Sequence, residues 1–365
     1  MTDQGGRTER LRLRGVFLPE ETAREAWIVD GRLSFTPVAD ADLIADGGWI
    51  LPGFVDAHCH VGLSPAGFAE DPEEQAAHAL ANRAAGALLL RDAGSPVDNR
   101  SVQQRTDLPR LIRAGRHIAR TRRYIRGLGV EVEPADLVAE VERQAARGDG
   151  WVKIAADWID REVGDLAPTF PDAELAAGIA RAHELGARVA AHVFGEDALP
   201  ALVAAGVDSL EHGTGLTEDL LDDVVRRGIA VVPTLINIDT FPAIAAQAES
   251  KFPRYAAHMR ALLRSSRPRI RAAWEAGVPV YTGTDAGGSI AHGMVGSEIR
   301  ALVEAGIPQA EVIAQASWRA RQWLGLDGLI EGAPADLVVY ADDPRTDLRT
   351  LEKPRRMVLR GAVVG

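Results

Sequence analysis

Two histidines, His58 and His60, lie one residue apart at the end of an apolar segment that begins at Leu51. Side chains at positions i and i+2 of a β-strand point to the same side, so both imidazoles can reach one metal ion while Cys59 points away. Imidazole nitrogen is a common ligand of zinc and related divalent metals. Taken alone, the pair is explained equally well as two solvated histidines. It therefore predicts a metal site only if further ligands meet it.

Four further candidate ligands belong to other short apolar segments, and they are Lys153, His192, His212 and Asp285. Each has an ordinary alternative. His192 or His212 alone can be a core histidine, Asp285 can cap a helix, and a lone lysine can extend its ammonium group to solvent. Chance explains the joint pattern poorly, because it requires a suitable residue at the same end of several strands. A set of imidazoles and a carboxylate suits zinc best, with manganese, cobalt or iron as alternatives.

These residues need a scaffold that brings distant strand ends together. Between residues 51 and 284, short apolar runs alternate with longer segments of helical period, which is typical of repeated βα units. One predicted helix covers residues 172–185, with Pro171 before it and Gly186 after it. The predicted strands cover residues 50–57, 87–92, 111–118, 152–156, 188–192, 209–212, 229–235 and 278–284. Eight such units predict an α/β fold, the (β/α)8 or TIM barrel, with its active site at the C-terminal ends of the strands.

The two flanks have a different pattern. Residues 10–49, 336–340 and 357–361 alternate between apolar and polar side chains with period two. Neither flank is long enough to bury a sheet face alone. The sequence therefore predicts a small composite β domain, similar to a β-sandwich, from residues 1–50 and 328–365, beside a hydrolase barrel of residues 51–327.

Composition limits the classes of partner. The chain has 365 residues, of which 46% are hydrophobic and 25% charged, as in globular proteins. Its formal net charge of −11 argues against nucleic-acid binding, and no apolar run is long enough for a membrane span. The N-terminal residues lack the basic region followed by an apolar region that a secretion signal has, so we do not expect secretion. The single cysteine excludes an intramolecular disulfide and fits a reducing cytoplasm. We expect a cytoplasmic protein with a small-molecule substrate, and the sequence leaves homo-oligomer formation open.

The strand-end motifs resemble those of the amidohydrolase superfamily of metal-dependent hydrolases. The matching segments cover residues 52–60, 152–154, 191–192, 211–214, 283–287 and 332–339. Within the superfamily, residues 204–214 are most similar to the branch that contains imidazolonepropionase-like and prolidase-like enzymes. The resemblance spans most of the chain, from residue 51 to about residue 345.

The resemblance implies a binuclear metal centre. In such a centre His58 and His60 bind the more buried ion, and His192 and His212 bind the second ion. Asp285 binds the first ion and contacts the reactive water. The implied cofactors are two zinc ions per chain.

Lys153 would be modified in this interpretation. The resemblance implies that CO2 converts its ammonium group into a carbamate that bridges the two ions. Two dications held close together need anionic ligands, and without the carbamate only Asp285 would provide one. Imidazolonepropionase-type enzymes use one metal and do not need this lysine, so Lys153 favours a binuclear, metal-binding hydrolase.

The expected reaction is hydrolysis of a C–N bond by a metal-activated hydroxide, with Asp285 as the catalytic proton shuttle. A dipeptide, an N-acyl amino acid or a related small amide is the expected substrate. One alternative is a lactonase or phosphotriesterase, and another is a mononuclear deaminase or cyclic amidohydrolase. The complete ligand set argues against a non-catalytic scaffold.

Candidate substrate contacts are fewer. His292 follows the Gly-Thr-Asp-Ala-Gly motif, where it either contacts the substrate or is a loop histidine without a role. The basic segment 120–127 contains Tyr124 and Arg126, which could bind a substrate carboxylate, or it is a solvated charge run. Trp158 lies in a loop that departs from the branch pattern, so it could change the specificity. No role is predicted for the other four histidines of the chain, His78, His117, His183 and His258.

Overall fold

A computed structural model of the protein describes residues 10–365. The strands are β1 (Arg10–Phe17), β2 (Thr22–Val29), β3 (Arg32–Ser34), β4 (Asp42–Pro52), β5 (Phe54–Cys59), β6 (Leu63–Ser64), β7 (Gly67–Phe68), β8 (Ala87–Asp92), β9 (Arg110–Arg113), β10 (Ile118–Arg120), β11 (Val130–Val132), β12 (Trp151–Ala155), β13 (Asp157–Asp160), β14 (Asp165–Pro168), β15 (Arg188–Val193), β16 (Ser209–His212), β17 (Ala230–Val232), β18 (Leu337–Tyr340), β19 (Arg356–Leu359) and β20 (Ala362–Val363).

Most helices lie between the strands of the central part of the chain. They are α1 (Pro72–Ala84), α2 (Arg100–Gln104), α3 (Leu137–Ala145), α4 (Asp172–Glu184), α5 (Leu199–Ala205), α6 (Leu221–Arg227), α7 (Leu235–Ile238), α8 (Phe241–Ala248), α9 (Pro253–Glu275), α10 (Val295–Glu304), α11 (Gln309–Ala316) and α12 (Trp318–Trp323). Helix α4 begins after Pro171, and Gly186 follows its end with a φ of +74°, as the sequence predicts. Among residues 10–365, no helix combines the length and the apolar character that crossing a bilayer requires.

A seven-stranded mixed sheet joins the two ends of the described chain. Its strand order is β20-β19-β18-β4-β1-β2-β3, and only the β1–β4 pair is parallel. In β1, the buried Leu11 and Leu13 alternate with the more exposed arginines between and beside them. These leucines pack in an apolar cluster with Leu337 and Val339 of β18. The period-two pattern of both flanks is therefore explained by one sheet to which both contribute.

The parallel strands position the chemistry of the central part. One sheet has the order β5-β8-β9, and the other has the order β11-β10-β12-β15-β16-β17. Every residue of β5, β8, β12 and β16 is buried, as in parallel strands that are covered on both faces. A segment near Val280 links the sheets, because Val280 bridges to Val231 and the Thr282 carbonyl accepts from the Ala57 amide at 2.9 Å. The architecture is α/β, and its strand pairing is divided among separate sheets.

Four predicted strands differ from the observed ones. The predicted strand 50–57 is divided at Gly53, because β4 pairs with β18 whereas β5 pairs with β8. The predicted strand 111–118 is interrupted by a turn at Gly115, whose φ is +71°. The predicted strand 229–235 is reduced to β17, which ends at Val232, because Thr234 has a φ of +48° and Leu235 begins α7. The predicted strand 278–284 is reduced to an isolated bridge at Val280.

Candidate metal centre

Two imidazoles meet the carboxylate of Asp285 where β5 ends. The Oδ1 atom of Asp285 lies 2.9 Å from Nε2 of His60 and 3.3 Å from Nε2 of His58. His58 and His60 direct their Nδ1 atoms elsewhere, to the Glu211 carboxylate at 2.6 Å and to the Gly94 carbonyl at 2.7 Å. Because both of these partners accept hydrogen bonds, each Nδ1 carries a hydrogen, which leaves Nε2 as the nitrogen that can coordinate a metal ion. This is the tautomer that a metal ligand needs.

His192 and His212 extend the cluster from β15 and β16. The parallel register pairs Val193 with His212, which places both imidazoles at the same end of the sheet. Nδ1 of His192 lies 3.0 Å from Nε2 of His212, and the His58 and His212 rings are 5.2 Å apart. One ligand atom each from His58, His212 and Asp285 lies within 4.8 Å of the others. The structure therefore brings four histidines and one carboxylate of the predicted set together.

Lys153, the sixth predicted ligand, is fully buried on β12. Its Nζ atom has no hydrogen-bond partner among the described residues, and neither has Nε2 of His192. Burial lowers the pKa of Lys153 to about 8, although the charges of Glu211 and Asp285 oppose the shift. A buried amine or imidazole without a partner is costly unless a further group meets it. These two atoms, together with the mixed nitrogen and carboxylate donors, fit a metal centre.

The electrostatics favour the ligand form of Asp285, His192 and His212, whereas for His60 the effect of burial, which lowers the pKa, is outweighed by the hydrogen bond to Asp285, which raises it. Burial would raise the pKa of Asp285, but the imidazoles of His58 and His60 hold it well below its usual range, so the carboxylate is ionised. Burial also lowers the pKa of His192 and His212 well below the ordinary histidine value. Neutral imidazoles and an ionised carboxylate are the forms that coordinate metals.

Buried partners orient these groups. Glu211 accepts from His58 through one oxygen, and its other oxygen accepts from Arg91 at 2.7 Å and from Ser209 at 2.6 Å. The amide of Asn237 donates to Oδ2 of Asp285 at 2.7 Å. Such outer partners fix the orientation of a ligand and are needed for its function.

Backbone strain is concentrated at the same place. Asp285 has a φ of +57°, His212 of +69° and Thr234, whose hydroxyl lies 2.7 Å from Nδ1 of His212, of +48°. The left-handed region is unfavourable for residues with a Cβ, most of all for a β-branched one, and costs about 1–3 kcal/mol at each such position. Gly287 has a φ of +136°, and a Cβ there would lie only 2.9 Å from the Cβ of His60. The surrounding packing holds a strained set of side chains in one arrangement.

His117 is a site residue that the sequence analysis missed. It is buried rather than exposed, its ring lies 5.1 Å from that of His60, and burial lowers its pKa well below the usual value. Its Nδ1 atom also has no partner among the described residues. Asn237 is the second missed residue, because nothing in its local sequence indicates a contact with Asp285. The position of His117 near the end of the third predicted strand was the one available signal.

The four candidate substrate residues occupy different positions. Tyr124 and Trp158 lie beside the histidines, with ring centroids 5.2 Å and 5.5 Å from that of His192. Arg126 is exposed. His292 stacks on His78 with a centroid distance of 4.3 Å, and its Nε2 donates to the Leu63 carbonyl at 3.1 Å. The structure thus brings Tyr124 and Trp158 to the candidate site, whereas His292 holds the loop that follows β5.

The Amidohydrolase family matches residues 49–364 of this sequence. The chain belongs to the amidohydrolase family. An uncharacterized protein of Mycobacterium tuberculosis is 55% identical to this amidohydrolase over 360 residues, which are 98% of this chain and 97% of that protein. The superfamily prediction is confirmed, and so is its consequence that the chain is a hydrolase acting on C–N bonds.

Solved structures show the same fold as this amidohydrolase. A crystal structure of a Xaa-Pro dipeptidase with bound methionine superposes with a TM-score of 0.78 at 23% identity, covering 97% of this chain and 99% of that one. The Aspergillus niger ochratoxinase superposes with a TM-score of 0.80 at 20% identity, covering 98% and 96%. At these identities the likeness concerns the fold.

Proposed function

We propose that the protein is a metal-dependent amidohydrolase that cleaves the amide bond of a small molecule such as a dipeptide or an N-acyl amino acid. The observation that carries the proposal is the meeting of the imidazoles of His58, His60 and His212 around the carboxylate of Asp285. The family membership supports the type of bond. The Xaa-Pro dipeptidase and the ochratoxinase are named after small substrates, which supports a small substrate for this protein as well.

The proposed metal is zinc, with two ions per chain. His58, His60 and Asp285 would hold the first ion, and His192 with His212 the second. Bound zinc would polarise the substrate carbonyl and lower the pKa of a coordinated water. Four neutral imidazoles and one carboxylate leave most of the charge of two dications uncompensated.

This charge deficit supports a carbamate on Lys153. The Nζ atom of Lys153 is buried without a hydrogen-bond partner among the described residues. A carboxylated lysine would supply the missing negative charge and would remove the uncompensated ammonium group. Carboxylation also replaces a cation that would repel the metal ions.

Asp285 is the proposed proton shuttle. Its side chain is 17% exposed, so a water molecule and a substrate can reach it, and its low pKa keeps the carboxylate ionised. Asn237 holds Oδ2, which leaves Oδ1 to face His58 and His60. The carboxylate would take a proton from the attacking water and deliver it to the amine, since an unprotonated amine is a poor leaving group.

The larger architecture is part of the proposal. We infer that the parallel strands close into an eight-stranded barrel, which the link between Val231 and Val280 and the Thr282 contact with β5 support. The division into residues 51–327 and a composite unit of residues 1–50 and 328–365 is likewise proposed. A cytoplasmic location remains a prediction from the single cysteine, and self-association is open.

Metal analysis and kinetics test the function together. The protein purified without chelator should contain about two zinc ions per chain, and chelation should abolish hydrolysis of dipeptides and N-acyl amino acids. Asp285→Asn should lower kcat about 10²- to 10⁴-fold, as expected for loss of a general acid and base. The exposed Asp342→Asn is the control, with unchanged kcat. Full activity after chelation, or in Asp285→Asn, would refute the proposal.

A further inference from the structure

An aromatic surface lies directly beside the candidate metal centre. We call Tyr124, Trp158 and Phe194 the aromatic wall. The Tyr124 and Trp158 rings are 4.7 Å apart, and the Trp158 and Phe194 rings are 6.4 Å apart. All three rings contact His192, with centroid distances of 4.4 to 5.5 Å. Phe194 is buried, whereas Tyr124 and Trp158 are partly exposed, so a ligand can reach these two rings.

The basic segment of residues 120–127 holds this wall in place. The Nη1 atom of Arg123 donates to the Asp160 carboxylate at 2.5 Å. Its Nη2 atom donates to three backbone carbonyls of the β13–β14 hairpin, those of Trp158 at 3.3 Å, Ala167 at 3.0 Å and Pro168 at 3.4 Å. Arg123 therefore fixes the segment that contains Tyr124 relative to the hairpin that contains Trp158. A surface fixed in advance loses little conformational entropy when it binds a ligand.

The wall presents apolar surface rather than charge. Trp158 and Phe194 pack on a cluster with Phe241 and Ile238 behind them. The nearby carboxylate of Asp157 accepts hydrogen bonds from the backbone amides of Phe194 and Gly195, at 3.0 Å and 2.6 Å, so these contacts already occupy it. Arg123 is also paired, as described above. A flat apolar group would fit this surface, whereas a charged group would lose its hydration there without gaining a partner.

We propose that the substrate carries an aromatic ring within one or two bonds of the scissile C–N bond, and that this ring packs against Trp158 and Tyr124. The inference rests on the proposed function, because it concerns the substrate of the same site. The Trp158 and Tyr124 rings both contact His192, which is a proposed ligand of the second metal ion. A substrate group that packs on these rings is therefore adjacent to the amide that is cleaved. Aromatic pairs favour tilted or offset arrangements at 4.5–7 Å, which is the spacing that the wall already uses.

Matched substrates test the proposal. N-benzoylglycine is compared with N-acetylglycine for a ring on the acyl side, and acetanilide with N-methylacetamide for a ring on the amine side. We expect kcat/KM to favour the aromatic member of at least one pair by about tenfold or more. Trp158→Ala should reduce that preference about tenfold, because it should lower kcat/KM for the aromatic member much more than for the aliphatic member. Trp158→Phe should retain most of the preference, and Trp27→Phe in the distant sheet is the control.

A binding measurement separates this proposal from the proposed function. Binding of N-benzoylglycine and of N-acetylglycine to the metal-loaded protein is measured by isothermal titration calorimetry, in wild type and in Trp158→Ala. Binding of the aromatic probe that depends on residue 158, without hydrolysis of any amide, would support the wall and refute the amidase reaction. Equal binding and equal turnover of aromatic and aliphatic members would overturn the wall proposal. An aromatic preference that survives Trp158→Ala, in a variant with wild-type circular dichroism, would also overturn it.

Discussion

Asn237 controls the orientation of the proposed catalytic carboxylate. Its amide donates to Oδ2 of Asp285 at 2.7 Å, and a hydrogen bond to a charged group contributes about 1.5–3 kcal/mol. We expect Asn237→Ala to lower kcat about tenfold or more, because Asp285 can then rotate away from the proton it must accept. KM should change by less than about threefold, since Asn237 is proposed to act through Asp285 rather than on the substrate. Steady-state kinetics on an amide substrate measure both.

The control for this prediction is Ser289→Ala. The Ser289 hydroxyl lies 3.4 Å from Oδ1 of Asn237, at the outer side of the amide, and is exposed. Its removal should leave kcat within about twofold of wild type. Metal content of Asn237→Ala should equal that of wild type, and a parallel loss of metal and activity would mean that Asn237 stabilises the ligand set instead.

Lys153 gives a prediction that does not depend on turnover. A fully buried ammonium group without a partner destabilises the metal-free protein, so Lys153→Met should raise or preserve its melting temperature. The same variant should bind about half as much zinc as wild type, because the bridging anion is lost. Calorimetry after chelation and elemental analysis after reconstitution measure these effects. A lower melting temperature together with full zinc content would show that Lys153 is only structural.

At the scale of single residues, the sequence indicates candidate metal ligands better than it indicates the residues that contact those ligands. The sequence indicates His58, His192 and Asp285 because each lies at the end of a predicted strand, and the type of side chain restricts its chemistry. Their partners come from far along the chain: His58 contacts Glu211, and Asp285 contacts Asn237. No local pattern encodes such contacts, which is why His117 and Asn237 were missed.

At the scale of elements, strands that are buried along their whole length were the easiest to predict. Strands β8 and β12 agree with the predicted ones within a residue at either end, because most of their residues are apolar and contiguous. The predicted strand 111–118 failed because its continuity depends on the backbone conformation at Gly115, which apolar periodicity does not report. The basic segment 120–127 is predicted to bind substrate, and the structure adds a second role, because its Arg123 holds the β13–β14 hairpin.

Helix α9 is attached to the loops around the site through His258. The imidazole lies 2.9 Å from Asp165 and 3.0 Å from Glu196, and these hydrogen bonds, that to Glu196 foremost, raise its pKa to about 9 despite partial burial. Arg254 and Arg269 also contact these carboxylates. The folded state therefore binds the proton more tightly than the unfolded state does, whose histidine pKa is about 6.5.

The contribution of His258 to stability is complete below about pH 6.5 and is lost as the pH rises through about 9. We expect the melting temperature of His258→Gln to be lower than that of wild type near pH 6 and the difference to vanish above pH 9. Glu196→Gln should move this loss toward lower pH, because it removes the main cause of the raised pKa. A difference that is constant from pH 6 to pH 10 would contradict the assignment.

At the scale of the whole molecule, Asp336 connects the mixed sheet to the parallel strands and helices. Its buried carboxylate accepts from Arg110 of β9, from Arg321 of α12 at 3.2 Å, and from the backbone amide of Arg360 at 2.7 Å. Arg321 is itself 3% exposed, so Asp336 is needed to compensate a buried charge. This network crosses the proposed boundary between residues 51–327 and the flanking unit.

Asp336→Asn should therefore destabilise the whole chain rather than one part of it. Loss of one partner of a buried ion pair costs about 3–5 kcal/mol, because the remaining charge stays buried without compensation. Denaturant unfolding followed by circular dichroism and by tryptophan fluorescence should show one coincident transition at a lower midpoint, since both sides of the boundary lose the same contact. The exposed Asp342→Asn should change the free energy of unfolding by less than about 0.5 kcal/mol. Two separated transitions in Asp336→Asn would instead mean that the flanking sheet folds on its own, and that the metal centre does not depend on the flank for its stability.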